Sequence, residues 1–297
     1  MSDRSARLRE LLHAPRLAFV MEAHNGLSAR IVEEAGFQAI WASGLSISAG
    51  LGVRDCNEAS WTQVLECVEF MADATRVPIL VDGDSGHGNF NNARRFVTKL
   101  EQRGAAGVCF EDKLFPKANS FLNGERQELA DIDEFSGRVR AACDARRDRD
   151  FVIVARIEAF VVGLGLAEAL RRAESYWRAG ADAILIHSAC ADAGEVFAFK
   201  DAWGDTLPVL AVPTKYFRTP TDQFRERGFA ALIWANHVLR ASIRAMQETA
   251  RQLFEAETLA AIDGQVAPLA EVFRLQRLEE LQAAEARYLP SALGRVA

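Results

Sequence analysis

The stretch WRAGADAILI (177–186) carries the pattern that decides the fold. A charged helix end is followed by a glycine, by small residues and then by an apolar run. The same order recurs in EEAGFQAIWA (33–42), EQRGAAGVCF (101–110) and RERGFAALIW (225–234). A glycine just past a helix supplies the left-handed cap that residues with a Cβ resist. Apolar runs without alternation are typical of strands buried on both faces of a parallel sheet.

Four further apolar runs complete the set of strands: LAFVMEA (17–23), VPILVDGD (77–84), FVIVARIEA (151–159) and LPVLAVPT (207–214). Eight strands are predicted, beginning near residues 17, 39, 77, 107, 151, 183, 207 and 231. Helical patterns at 59–74, 91–103, 131–147 and 165–179 separate them. Eight strand–helix units favour an α/β protein with a closed (β/α)8 TIM-type barrel. An open doubly wound sheet is the alternative, and no G-x-G-x-x-G motif follows the first strand to support it.

The chain length fits this barrel with a helical remainder. A barrel of this type needs roughly 250 residues, and the chain has 297. Residues 238–297 are almost entirely helical in pattern, at 238–258 and 267–287. We therefore predict one domain, 1–297, in which 238–297 is a C-terminal extension that packs on a neighbouring subunit.

Composition limits the partners and the compartment. The formal net charge is −6 and no basic block stands out, which argues against nucleic acid or an anionic membrane as a partner. No segment approaches the roughly 20 apolar residues of a membrane span, and the N-terminus has no apolar core typical of a signal peptide. The five cysteines show no C-x-x-C spacing, so a reducing, cytoplasmic setting is predicted.

Polar residues gather where the predicted strands end, and in such barrels the chemistry lies at the carboxyl ends of the strands. Asp82 and Asp84 end the third strand and Glu111 ends the fourth. Residues two apart on a strand point the same way, so both aspartates are expected to face the barrel mouth. Clustered oxygen ligands are typical of a hard cation, and we predict a Mg²⁺ site at these three acids.

Other strand-end residues leave two interpretations open. Arg156 lies in an apolar strand two residues from Glu158, so it either forms a structural ion pair or grips an anionic group. The loop DKLFPKANSFLNGE (112–125) is either a lid that closes over a substrate or an ordinary surface loop. His187, at the end of the sixth strand, is either structural or catalytic.

Several motifs together resemble the phosphoenolpyruvate mutase/isocitrate lyase superfamily, and within it the mutases. They include FVMEAHNGLSARIVEEAGF (19–37), IWASGLSISAGLGVRDCNEASWTQ (40–63), EDKLFPKANS (111–120), VARIEAF (154–160), VPTKYFRTPTDQF (212–224) and IWANHVLRAS (233–242). The resemblance covers nearly the whole chain. It implies a barrel whose last helix is exchanged between subunits of a homo-oligomer, a dimer or tetramer. It also implies Mg²⁺ and the interconversion of two small molecules, phosphoenolpyruvate and phosphonopyruvate.

The resemblance also implies roles for particular residues. Asp82 would bind the metal directly, and Asp84 and Glu111 would hold metal-bound waters. Ser43, Gly44 and Leu45 would bind the substrate beneath Trp41, and Arg156 with His187 would hold its phosphoryl group. Asp55 would lie beside the migrating phosphoryl group, either capturing it as an acyl phosphate or only orienting it. Lys117, Asn119 and Ser120 would lie on the lid.

Rival functions are distinguished by the lid sequence. Phosphonopyruvate hydrolases resemble F-P-K-D-T-S where this chain has FPKANS (115–120), so Asn119 favours the mutase. Carbon–carbon lyases of the superfamily carry K-[KR]-C-G-H on the lid, which is absent here. A barrel that only binds or scaffolds would not need this full set of polar residues. One departure is His87, which stands where mutases usually have tyrosine and adds a titratable group near the predicted metal site.

Overall fold

The computed structural model describes residues 3–120 and 127–289, and its centre is a closed, all-parallel eight-stranded barrel. The barrel closes between the first and last strands, where Ala18 pairs with Ala231 and Met21 with Trp234. The strands are β1 Ala18–Ala23, β2 Ala39–Ala42, β3 Ile79–Asp82, β4 Gly107–Glu111, β5 Val152–Ile157, β6 Ala183–Ile186, β7 Val209–Ala211 and β8 Ala231–Trp234. Each begins within two residues of its predicted start, and the barrel prediction is confirmed.

Two apolar cores explain why the strands show no polar alternation. Side chains such as Val20, Leu80 and Leu185 fill the inside of the barrel. Their sequence neighbours, such as Val81 and Ile184, pack outward against the helices. Both faces of each strand are therefore buried, as in other parallel sheets. Successive side chains of a strand still point alternately into the barrel and out toward the helices. Near the carboxyl end of a strand, every second residue therefore faces the barrel mouth.

Helices alternate with the strands around the barrel. In chain order they are α1 Arg4–His13, α2 Gly26–Glu34, α3 Gly44–Gly50, α4 Trp61–Ala74, α5 Phe90–Gln102, α6 Ile132–Ala145, α7 Gly165–Arg178, α8 Gly194–Trp203 and α9 Thr221–Glu226. Local capping fixes several starts. Ser60 and Gln63 form a capping box at α4, and Asn89 does the same for α5 with Asn92. The four helices predicted between strands are confirmed, with ends shifted by up to two residues.

The chain divides into two compact units between Leu239 and Arg240. Helix α10, His237–Ala256, spans this boundary, and α11 (Leu269–Leu275) and α12 (Leu278–Tyr288) follow it. The single helix predicted at 267–287 is wrong. Arg277 adopts a left-handed backbone (φ 57°) that interrupts it, a conformation that a helical periodicity does not indicate. Whether 238–297 packs on a second subunit stays a prediction.

Among residues 3–120 and 127–289, no helix has the combined length and apolar character that crossing a bilayer requires.

Candidate active site

A polar cavity opens at the carboxyl ends of the strands. Side chains from seven of the eight strand ends and from the loop after β4 surround it. It is lined by Trp41, Ser43, Leu45, Asp55, Asp82, Glu111, Lys113, Lys117, Ala118, Asn119, Ser120, Arg156, His187, Val212, Thr214, Ala235 and Asn236. The barrel therefore brings together residues that are up to 195 positions apart, the interval between Trp41 and Asn236.

Most residues expected at the site meet in this cavity, and two lie directly behind it. Gly44 and Asp84 do not line it, but the Gly44 N–H points at Asp82 Oδ2 (3.2 Å), and Asp84 forms an ion pair with Lys117, which does line it. The sequence prediction gave no site role to Lys113, Ala118, Val212, Thr214, Ala235 and Asn236, which also line the cavity. Their only signal was their position at a strand end or on the predicted lid.

Asp82 and Asp84 converge beside Gly44, although for a different reason than strand alternation. Strand β3 ends at Asp82, and Asp84 lies beyond it in a left-handed conformation (φ 48°). The turn after β3, rather than the pleat of the strand, therefore directs the Asp84 carboxylate toward Asp82. A Cβ placed on Gly44 would lie 3.1 Å from Asp82 Oδ2 and 3.1 Å from Asp84 Oδ1, so a glycine leaves room for both carboxylates.

Lys117 brings a positive charge from the lid into this acidic group. Its Nζ lies 2.5 Å from Asp84 Oδ1 and 2.7 Å from Asp55 Oδ1. Asn119, two residues on, donates from Nδ2 to Asp55 Oδ2 (2.7 Å). Burial disfavours the charge on Lys117, but the surrounding carboxylates outweigh burial and hold the pKa of this ammonium well above its ordinary value. Residues 113–120 of the loop after β4 therefore cover the cavity.

Asn57 is a site residue that sequence reasoning missed. Its Nδ2 donates to Asp84 Oδ2 (2.8 Å) and its Oδ1 accepts from the Lys117 N–H (2.7 Å). It thus ties the loop after β3 to the lid. Its backbone is left-handed (φ 61°), a conformation that asparagine tolerates better than most residues. The signal available was its place in GVRDCNEAS (52–60), two residues after Asp55.

Arg156 forms the structural ion pair that was one of its two predicted roles. Its side chain also faces the cavity. Its Nε donates to Glu158 Oε1 (2.5 Å), and its Nη2 reaches Ser120 Oγ (3.0 Å). His187 Nδ1 also lies 2.8 Å from Glu158 Oε1. Burial lowers the pKa of His187, against the opposing effect of Glu158, so the ring is neutral near pH 7. The carboxylate favours a proton on Nδ1, although Arg156 Nη2, a donor, also lies 3.0 Å from this nitrogen.

The charges around the cavity are out of balance. Five carboxylates (Asp55, Asp82, Asp84, Glu111, Glu158) face three cations (Lys113, Lys117, Arg156), which leaves two excess negative charges if all are ionised. Burial raises the pKa of Asp82 to about 7; Lys117 opposes this rise, and the nearby Asp84 and Glu111 add to it. A divalent cation would remove this imbalance.

The donor set fits Mg²⁺. Glu111 Oε1 is buried and accepts no hydrogen bond from any residue that the structure describes. Within the same residues, no three His, Cys, Asp or Glu side chains are close enough to enclose a metal on their own. Mg²⁺ typically binds one or two carboxylates directly and keeps several of its waters, so the buried Glu111 carboxylate with its unpartnered oxygen suits it.

His87 contributes no charge to the site near neutral pH. Its ring packs edge-on against Phe96 (centroids 4.8 Å apart), and its Nε2 is buried without a hydrogen-bond partner among the described residues. Burial, with help from Lys117, lowers the pKa of His87 to about 4. The imidazole is therefore an apolar packing element above about pH 5.

Comparison with known proteins identifies the family. A family model described as phosphoenolpyruvate phosphomutase matches residues 8–254. This chain belongs to that family. It is 56% identical over 286 residues to the phosphoenolpyruvate phosphomutase of Tetrahymena pyriformis, covering 96% of this chain and 95% of that protein.

Solved structures give the same family placement. The phosphoenolpyruvate phosphomutase of Streptomyces platensis subsp. rosaceus superposes with a TM-score of 0.94 at 44% identity, covering 96% of this chain and 99% of the other. A phosphonopyruvate hydrolase crystallised with oxalate and Mg²⁺ superposes with a TM-score of 0.91 at 38% identity, covering 98% and 100%. The resemblance found in the sequence is confirmed, and the phosphomutases are the more similar of the two.

The buried His87 of this phosphomutase-family chain makes its stability depend on pH. The pKa falls from about 6.5 in the unfolded chain to about 4 in the folded one, so the unfolded state takes up the proton first. Stability should therefore be lost as pH falls from about 6.5 toward 4. Between pH 7 and pH 5 we expect His87 to account for a loss of ~2 kcal/mol.

Urea unfolding of the wild type and of His87→Asn at pH 7 and pH 5 measures this contribution. Asparagine tolerates the left-handed backbone at this position (φ 57°) and does not titrate. The variant should lose less stability than the wild type over the interval. Equal losses in the two proteins would contradict a buried, neutral His87.

Proposed function

We propose that this protein interconverts phosphoenolpyruvate and phosphonopyruvate with Mg²⁺ bound. The observation that carries the proposal is one cavity in which the lid residues Lys117 and Asn119 reach Asp55 while Arg156 and His187 face it from the opposite strands. Such an enclosed, charged site suits phosphoryl transfer, which needs positioning and charge neutralisation more than covalent chemistry by the protein.

Arg156 and His187 are proposed to hold the phosphoryl group. Glu158 fixes the guanidinium at Nε, so the Nη atoms are presented to the cavity as a fork that suits phosphoryl oxygens. A neutral His187 whose Nδ1–H is donated to Glu158 contributes its other nitrogen without adding a charge. Ser120 Oγ, which accepts from Arg156 Nη2, supplies a further polar contact from the lid.

The pyruvate part of the substrate is proposed to lie on the turn that begins α3, beneath Trp41. Ser43 caps this helix through its Oγ, which accepts from the Ser46 N–H (3.3 Å). The backbone N–H groups of Gly44 and Leu45 belong to the first helical turn, where no intrahelical acceptor is available. The Gly44 N–H donates to Asp82 Oδ2, so the Leu45 N–H is the donor proposed for the substrate carboxylate, with Gly44 leaving room beside it. Trp41 is buried and gives this part of the cavity a flat apolar wall.

Asp82, Asp84 and Glu111 are proposed to hold the magnesium ion, Asp82 directly and the other two through water. When bound, Mg²⁺ would neutralise negative charge on the enolate and carboxylate oxygens of the substrate. The excess negative charge at the cavity and the unpartnered Glu111 Oε1 support this assignment.

The reaction itself requires that one bond to phosphorus be exchanged for another. In the direction from phosphonopyruvate, the C–P bond breaks, its electron pair passes into the pyruvate enolate, and a new bond forms between phosphorus and the enolate oxygen. Asp55, held by Lys117 and Asn119, lies where it can orient the phosphoryl group or accept it briefly as an acyl phosphate. Lys117, Asn119 and Asn57 together keep the lid over the group in transit.

Hydrolysis of phosphonopyruvate is the second candidate function. The same cavity would perform it if water reached the phosphoryl group, and the hydrolase shares the fold at 38% identity. The bond between Asn119 and Asp55 favours the mutase, because an amide there closes the lid onto Asp55 through a neutral donor.

A homo-oligomer in a reducing, cytoplasmic setting is part of the proposal. A groove on the barrel is lined by Phe19, Phe37 and Trp234, in which both phenylalanine rings contact the Trp234 ring, and it suits an exchanged helix from a second copy. In the C-terminal unit, apolar side chains such as Phe254 (85% exposed) and Leu269 (71%) point to a subunit interface. The five cysteines are all free.

Phosphorus NMR with phosphonopyruvate tests the activity. With Mg²⁺ we expect a phosphate-ester signal of phosphoenolpyruvate, and with excess EDTA we expect no conversion, because the acidic site then lacks its cation. Inorganic phosphate with pyruvate would identify a hydrolase instead. An unchanged phosphonate signal in the presence of Mg²⁺ would contradict both functions.

Substitution of Asp55 tests the proposed role of this carboxylate. Asp55→Ala removes the group beside the phosphoryl site, and we expect turnover to fall at least ~100-fold, as for other losses of a transition-state contact. Cys56→Ser, one residue on in the same loop, is the matched control and should keep wild-type turnover. Substantial activity in a folded Asp55→Ala protein, judged by its urea transition, would remove Asp55 from the mechanism.

A further inference from the structure

We propose that Lys113 is the positioning residue that locks the lid segment, residues 113–120, over the phosphoryl group and so keeps water from it. The inference rests on the proposed mutase activity and adds a residue that governs how the reaction partitions between rearrangement and hydrolysis. Lys113 lies two residues after Glu111, at the base of the lid, and is 2% exposed.

The side chain of Lys113 folds back onto the lid itself. Its Nζ donates to the Ala118 carbonyl oxygen (2.9 Å) and to Ser120 Oγ (2.6 Å). The two acceptors belong to the residues that flank Asn119, whose side chain donates a hydrogen bond to Asp55. The buried ammonium therefore fixes the part of the lid that faces the reacting group, through hydrogen bonds strengthened by its charge.

The base of the lid is anchored to the barrel independently of this ammonium. Lys113 forms an isolated β-bridge with Leu129, and the Ala130 N–H donates to the Asp112 carbonyl oxygen (2.9 Å). Loss of the Lys113 side-chain bonds would consequently loosen the segment around Asn119 without releasing the base of the loop.

A second set of contacts joins Lys113 to the group that holds the phosphoryl oxygens. Glu158 Oε1 accepts from Arg156 and faces His187, while Glu158 Oε2 has no hydrogen-bond partner among the residues described and lies 3.4 Å from Lys113 Nζ. Ser120 Oγ receives both Lys113 Nζ and Arg156 Nη2 (3.0 Å). Lid closure and the orientation of Arg156 are thus set by the same charges.

Removal of this ammonium has a chemical consequence. With the lid loosened, water can attack phosphorus as the C–P bond breaks, and the enolate then takes up a proton. The products become inorganic phosphate and pyruvate in place of phosphoenolpyruvate. Lys113 would affect the ratio of these products, whereas a lysine needed only for folding would change the amount of active protein and leave the ratio alone.

The test uses Lys113→Met, which keeps the length of the side chain and removes its charge and donors. Lys200→Met is the matched control. Lys200 is also buried (4% exposed) and donates to a backbone carbonyl, Gly204 (2.6 Å), and to a carboxylate, Asp205 (2.8 Å), but it lies on α8 away from the lid. Lys113→Gln is prepared in parallel, because a polar side chain keeps the experiment possible if methionine prevents folding.

Two quantities are measured in the full-length proteins. Phosphorus NMR gives the ratio of inorganic phosphate to phosphoenolpyruvate formed from phosphonopyruvate with Mg²⁺. Mass spectrometry gives the rate of tryptic cleavage after Lys117 in the presence of Mg²⁺ and oxalate. For both Lys113 variants we expect each quantity to rise at least ~10-fold over wild type, because loss of even one of the two charge-assisted hydrogen bonds predicts a change of that size. The Lys200 variant should match wild type.

The outcomes separate this inference from the proposed function. Suppose that wild type forms phosphoenolpyruvate and that the folded Lys113 variants keep its product ratio and its resistance to trypsin. The proposed role of Lys113 is then contradicted, and the mutase activity stands. If wild type itself forms no phosphoenolpyruvate, the proposed function fails, and the trypsin measurement alone then decides whether Lys113 holds the lid.

Discussion

The constraint on which the site depends is the enclosure of five carboxylates by one barrel mouth. Buried like charges repel strongly unless cations lie among them, and three basic side chains from different parts of the chain meet this need. Arg156 comes from a strand, while Lys113 and Lys117 come from the base and the body of the lid. Because two of the three cations belong to the lid, the closed arrangement of the lid and the charge balance of the site depend on each other. The remaining excess of negative charge matches a divalent cation.

The barrel holds this cluster through a second layer of polar contacts. Asp112 accepts from the Glu158 N–H through Oδ1 (2.9 Å), and its Oδ2 accepts from Arg172 (3.0 Å) and from the Tyr176 hydroxyl (2.9 Å). Arg172 and Tyr176 lie on α7, outside the barrel. A helix face is thereby coupled to Glu158 and, through it, to Arg156. Such support fixes the guanidinium before a substrate arrives, which reduces the cost of ordering it during the reaction.

Much of this architecture could be predicted from the sequence, because the buried strands leave a strong signal. Unbroken apolar runs located all eight strands, four of them after a capping glycine, and polar residues at the strand ends located most of the cavity. The features that could not be predicted depend on backbone geometry, which a pattern of residue types does not encode. Asp84 and Asn57 reach the site through left-handed conformations, and Arg277 interrupts a helix in the same way. No role was predicted for Lys113, because a lysine on a polar loop is expected to be solvated until its burial is known.

The central claim, that buried charges hold the lid closed over the site, can be measured by hydrogen–deuterium exchange of the segment 113–120. The Lys117 N–H donates to Asn57 Oδ1 in the closed arrangement, and its exchange reports on that bond. With Mg²⁺ and oxalate bound, the account predicts exchange slowed by at least ~10-fold relative to the ligand-free protein, as expected for a segment held by several hydrogen bonds. Rapid exchange of this segment, equal with and without Mg²⁺ and oxalate, would contradict it.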